Sequence, residues 1–140
     1  MQKFIICISL SFLLAACGTT RTIEFASLNQ TPCKDEITIG NPKEFTGETV
    51  NELKLFQQEK ILFASMAVKT YCTGKIIFSA EIKNSQIKLF LQNSSRLKED
   101  CVCTIIVTVS LKNIEPGDYS IMVLNEKGDK LLAASKVTVN

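Results

Sequence analysis

Six cysteines and no histidine decide most of the chemistry open to this 140-residue chain. A thiol can be acylated, oxidised to a disulfide or used to hold a soft metal, and its surroundings select among these. Cys101 and Cys103 stand two apart in a run that reads as a strand, so both side chains share one face. Cys33 and Cys72 are isolated upstream. An all-thiolate zinc cluster wants paired Cys-x-x-Cys knuckles, and the sequence has none. A copper-handling surface is poorly supplied too, with no His and three Met that include the initiator. Lack of His also removes the usual general base and the Ser-His and Cys-His nucleophiles. Ser85-x-x-Lys88 and Ser95-x-x-Lys98 match the spacing of a Ser-Lys dyad. That spacing joins two side chains on a helical turn, whereas Ser85 opens a strand and Ser95 lies in a polar loop. Asp35-Glu36, Glu99-Asp100 and Glu126 to Asp129 all sit beside turn formers, the setting of solvated acids. The expectation is therefore no catalytic residue, no metal ligand and no cofactor: a protein that is not an enzyme.

Cys17 stands apart because of what precedes it. Met1-Gln2-Lys3 gives a positive start, Phe4 to Leu14 an almost unbroken apolar run, and Ala15-Ala16 a small-residue cleavage site. The run is too short for the ~20 residues that span a bilayer, so it reads as a signal peptide that is removed. Leu14-Ala15-Ala16-Cys17 resembles the lipobox of bacterial lipoproteins. In that family cleavage falls before the cysteine, whose thiol takes a diacylglycerol and whose new amine is acylated, palmitate being a usual chain. The resemblance implies residues 1–16 as signal peptide, 17–21 as a lipidated tether and 22–140 as the domain. It also implies a membrane partner through the lipid. Gly18 stands where an Asp would signal inner-membrane retention, which favours the cell outer membrane, on its periplasmic side or at the cell surface.

Cys7 leaves with the signal and Cys17 is consumed by lipid, so four cysteines remain in an exported chain, where disulfides persist. Cys101 and Cys103 cannot easily bridge each other within one strand, because bonded Cβ atoms lie only about 3.8 Å apart. Cys33 and Cys72 are each expected to pair with one of them, in either combination. With Lys3 gone, 15 basic and 14 acidic side chains remain of the original 16 and 14. Nucleic-acid binding needs a concentrated basic surface, and none is visible.

The elements that must position these residues follow a period of two. Ile23 and Phe25 alternate with polar neighbours, as do Ile37 and Ile39. The stretch from Pro42 to Gln58 fits either a short helix near 48–57, suggested by Val50 and Leu53, or a strand, suggested by Thr49, Val50 and the alternation of Leu53 and Leu55. Lys60 to Cys72 reads as a central strand with Leu62, Ala64, Met66 and Val68 on one face. Ile76, Phe78, Ala80 and Ile82 form the next inward row. Asn84-Ser85 turns the chain, and Ile87, Leu89 and Leu91 resume the core face with Phe90 pointing outward. A polar loop from Asn93 to Asp100 leads to a long strand carrying Cys101, Cys103, Ile105, Val107, Val109 and Leu111. Pro116-Gly117-Asp118 and Lys127-Gly128-Asp129 are turns before the last two strands. Seven to nine short strands with evenly spaced turns predict an all-β antiparallel sandwich.

The stretch Leu111-Lys112-Asn113-Ile114-Glu115-Pro116-Gly117-Asp118-Tyr119-Ser120-Ile121-Met122-Val123 resembles the strand-turn-strand of immunoglobulin-like modules in bacterial secreted proteins, although the chain has no Trp. With Tyr71-Cys72 and Cys101-Val102-Cys103 it is also similar to small uncharacterised lipoproteins of Bacteroidetes-like bacteria. The expected role is binding or structural assembly at the bacterial envelope, with another envelope protein as partner. Phe90, the 93–100 loop and the 42–58 segment are the candidate contacts, because loops on a rigid scaffold usually carry function. Tyr119 is expected to bury its ring and bond backbone through its hydroxyl, as sandwich corners do. Two alternatives are an inhibitor of lysozyme or another hydrolase, for which no Ser-Gly-x-x-Tyr insertion motif is present, and a thiol-based metal or redox protein.

Overall fold

The computed structural model describes residues 21–40, 45, 47–94 and 100–140. Expectations placed on residue 17, the tether at 18–20, residues 41–44 and 46, and residues 95–99 lie outside the described residues. The alternating pattern resolves into ten strand segments: β1 (Arg21–Thr22), β2 (Glu24–Gln30), β3 (Lys34–Thr38), β4 (Thr49–Gln58), β5 (Ile61–Tyr71), β6 (Ile76–Lys83), β7 (Gln86–Asn93), β8 (Cys101–Lys112), β9 (Gly117–Asn125) and β10 (Leu131–Val139). One sheet runs β1-β6-β7-β9-β10 and the other β2-β8-β5-β4, with β3 also paired to β8. The expected all-β sandwich is what forms.

β7 and β9 pair in parallel, a departure from a purely antiparallel sandwich with a simple cause. β7 runs up one sheet, β8 returns down the other, and β9 runs up again beside β7. The return path of this parallel pair is thus a strand of the opposite sheet.

Strict alternation drives burial. On β5, Leu62, Ala64, Met66, Val68 and Thr70 are buried while each intervening residue is half-exposed. β8 turns Cys103, Ile105, Val107, Val109 and Leu111 the same way. They meet Ile76, Ile87, Leu89, Leu91, Ile121 and Val123 from the facing sheet. Each such side chain contributes roughly 1.5–3 kcal/mol on leaving water. Together they make one core between two layers.

The short helix near 48–57 does not form; from Thr49 on those residues belong to β4. A register shift lies between Asn51 and Lys54, with Glu52 at φ 54°. A bulge inserts one extra residue, so the core-packed positions step from Val50 to Leu53 and then to Leu55. The three-residue step imitates a helix in the sequence, and the two-residue step is the strand resuming. β2 uses the same device, since a shift between Phe25 and Ser27 lets both Phe25 and Leu28 pack on the core.

Eleven residues of β5, at about 3.3 Å each, set a long axis of about 36 Å. One end carries β1, the β6–β7 turn, Leu111 to Gly117 and the end of β10. The other end carries Cys33, Cys72, Cys101, Asn93 and the β9–β10 turn. These are the tether end and the disulfide end.

Candidate functional site

β8 sits between β3 and β5, and that placement sorts the cysteines. Cys103 reaches one flank and Cys101 the other. The bridges are Cys33–Cys103 and Cys72–Cys101, with Cα separations of 5.6 and 5.5 Å. This agrees with the expectation that Cys33 and Cys72 would each take one cysteine of the Cys-x-Cys pair, and it fixes the combination. Cys72 lies directly across from its partner, its N–H donating to the Cys101 carbonyl at 3.1 Å. The bridges span 70 and 29 residues, so the chain-entropy picture gives each about 4 kcal/mol. The sulfurs of Cys33, Cys72 and Cys103 all lie within 4.8 Å of one another.

Side chains replace backbone ladders around this cross-link. The Gln30 amide donates to the Ile76 carbonyl, and its oxygen accepts from the Ile76 N–H at 3.3 Å, tying β2 to β6 in the other sheet. Asn93 Nδ2 donates to Thr70 Oγ1 at 2.7 Å and to Glu48 Oε1 at 2.9 Å. Thr70 is fully buried, so this bond satisfies a hydroxyl that would otherwise cost free energy. A Cβ at residue 74 would stand 2.7 Å from the Asn93 amide, so any other residue there would displace that amide from its bonds. Phe45 meets Tyr71 edge-on, ring centroids 4.7 Å apart.

Two of the expected contact regions arrive at this one end. Described parts of the 93–100 loop (Asn93, Ser94 and Asp100) and of the 42–58 segment (Phe45, Gly47 and Glu48) flank the cross-link, joined through the Asn93–Glu48 bond. A depression of about 420 Å³ lies between Glu48, Asn93 and the β9–β10 turn. Phe90 points outward as expected and is half-buried. Its ring lies against the backbone of Gly128, where a Cβ would come within 3.0 Å of it. Gly128 is also at φ +73°, so glycine is required twice over. Asn125 organises that turn, its Oδ1 accepting from the N–H groups of Asp129 and Lys130, each at 3.1 Å.

Among the described residues, several polar groups weighed for catalysis have other partners. Lys88 pairs with Glu81 at 3.6 Å, and Glu126 accepts from the Gln92 amide at 3.3 Å. Asp129 accepts from the Asn125 amide at 2.7 Å. Asp35 occupies a left-handed conformation, φ 52°, within the register shift of exposed β3. Glu36 approaches the sulfurs of Cys72 and Cys101 to within 4.8 Å. Tyr119 packs on the core and donates its hydroxyl proton to the Glu115 carbonyl at 2.9 Å, the corner anticipated for it.

Sequence reading missed Gln30 and Asn93, which carried no signal because a polar residue in or at the end of a strand usually faces water. It also missed a stacked pair on the outer face of the second sheet, Phe56 over Phe63 with centroids 5.0 Å apart. Comparison with protein-family models, with curated proteins and with solved structures returns no match.

Proposed function

We propose that this chain is a lipid-anchored protein of the bacterial envelope, acylated at Cys17, that acts by binding rather than catalysis. Its recognition surface is the disulfide end, and its partner is another envelope protein. One observation carries the reading: Asn93, Ser94 and Asp100 of one expected contact region and Phe45, Gly47 and Glu48 of another gather at the end opposite the tether, beside two disulfides. The Cys72–Cys101 bridge fixes the residue at which the 93–100 loop ends, and ordering a surface before it binds is how it gains affinity. The outer membrane is the favoured site because Gly18 follows Cys17. Fractionation with the Cys17→Ser variant tests the anchor: the variant should be uncleaved or leave the membrane fraction, and a processed variant still held by lipid contradicts it.

The thiol-based alternative draws support from the three sulfurs within 4.8 Å of one another. In a reduced protein such a cluster would suit a soft metal. Thiol titration of protein isolated from the envelope separates the two readings, since disulfide clamps leave no reactive thiol among Cys33, Cys72, Cys101 and Cys103.

A further inference from the structure

Five large apolar side chains among the described residues are exposed: Ile37, Phe56, Ile77, Ile106 and Leu131. Ile37, Ile77 and Leu131 belong to the disulfide end, Ile106 to the middle of β8. Phe56 alone lies near the tether end. It is 46% exposed and stacks almost parallel on Phe63, at an interplanar angle of 7°. The two rings form the second outward pair above the β4–β5 turn, after the pairing of Gln58 with Ile61. Exposed Phe56 stacked on half-buried Phe63 makes a small apolar patch on the outer face of this sheet.

The covalent chain says what covers it. β1 is held to β6 through Arg21↔Ile82, and Cys17 precedes Arg21 by four residues. At about 3.6 Å per residue the acyl-bearing residue stays within about 14 Å of the fold. Two packed sheets are separated by about 10 Å and neighbouring strands by about 4.8 Å, so that reach extends round the β2 edge to the outer face of the β2-β8-β5-β4 sheet, with Phe63 and Phe56 two and three strands further across the same face. Charge does not select the partner: Lys54, Lys60 and Lys112 nearby are matched by Glu52, Glu59 and Glu24, with Lys54 and Glu52 at 3.7 Å. An aromatic surface of near-neutral charge, on a face whose β2 edge the lipid anchor can reach, fits the interfacial zone of a bilayer.

We infer that Phe56 and Phe63 insert into the membrane interface and fix how the anchored domain lies on the lipid, with the outer face of the β2-β8-β5-β4 sheet toward the membrane. This rests on the anchor reading for its reach. In this pose the disulfide end lies beside the membrane, far from the anchor and open to a partner.

The chain contains no tryptophan, so Phe56→Trp is a clean reporter. The mature chain, oxidised at its four disulfide cysteines, is coupled through the Cys17 thiol to a maleimide phospholipid and reconstituted in phosphatidylcholine vesicles containing brominated lipid. This supplies the anchor whether or not cells acylate Cys17; acylation is read separately by mass spectrometry of the natural protein. Emission from the indole of the Phe56→Trp chain should be blue-shifted and strongly quenched, equally at low and high salt. A Gln86→Trp control, at the same end on the other sheet, should be unquenched. For the uncoupled Cys17→Ser chain, Phe56→Ser should weaken vesicle partitioning about tenfold, the effect of withdrawing roughly half a phenylalanine from an apolar phase, with an unchanged far-ultraviolet spectrum. Equal quenching at both positions, salt-dependent quenching, or a blue shift before vesicles are added together with dimeric sedimentation would overturn the proposal; the last outcome would make a second copy the occupant. A natural chain without acyl groups overturns the anchor reading instead.

Discussion

The two ends of the sandwich are closed by different means. At the tether end, connections are tight and closed by single hydrogen bonds: Ser120 N–H to the Ser85 carbonyl at 2.9 Å, Tyr119 to Glu115, Thr138 to Asp118 at 2.6 Å. At the disulfide end, β3 is exposed along its whole length and two of the connections, 39–48 and 94–100, are long. There the chain uses two disulfides and the side-chain bridges of Gln30 and Asn93. The difference teaches where order is costly. Short turns bring little loop entropy to overcome, while irregular segments held near one another need cross-links, and a surface worth that expense is one whose shape matters.

Removing the cross-links should produce the largest effect. Replacing Cys33 and Cys103 by Ser, or Cys72 and Cys101 by Ser, should each lower unfolding free energy by about 4 kcal/mol, read from denaturant midpoints. Hydrogen exchange should rise first near Cys72 and Asn93 while the Tyr119 corner stays protected. Uniform acceleration would erase the distinction between the ends. Asn93→Ala comes next, at roughly 1–3 kcal/mol, because it leaves the buried Thr70 hydroxyl without its partner; an effect below about 0.5 kcal/mol would show that the bridge is not structural. Gly128→Ala forces a Cβ toward Phe90 at positive φ, a cost of about 1–2 kcal/mol, and the paired Phe90→Leu change should recover part of it if the ring contact contributes. Tyr119→Phe, at the tether end, should cost least, about 1 kcal/mol for one hydrogen bond in a half-exposed corner.

Much of this was legible because a sheet with one face in water writes its pattern into the chain. Leu62 to Val68, Ile87 to Leu91 and Cys103 to Leu111 alternate without interruption, and all face the core. The cysteine pairing was legible up to its last choice, since strand geometry disfavoured a Cys101–Cys103 bridge but could not say which flank each would reach. What failed was local in cause. The bulge at Glu52 gave β4 a helical-looking step, and no sequence period reports a bulge. Phe90 was correctly placed outward, but its cover by the Gly128 turn depends on where β10 folds back. Gln30 and Asn93 act across the two sheets, a contact no local pattern contains.

The central claim, that recognition belongs to the disulfide end, is tested most directly by placing a photo-crosslinking amino acid at exposed positions of the anchored protein in its own envelope. Ser94 and Lys127 sample the disulfide end; Ser85 and Glu115 sample the tether end. The account predicts discrete protein adducts from Ser94 and Lys127 and none from Ser85 and Glu115. Adducts confined to Ser85 and Glu115, or equal from all four, would contradict it.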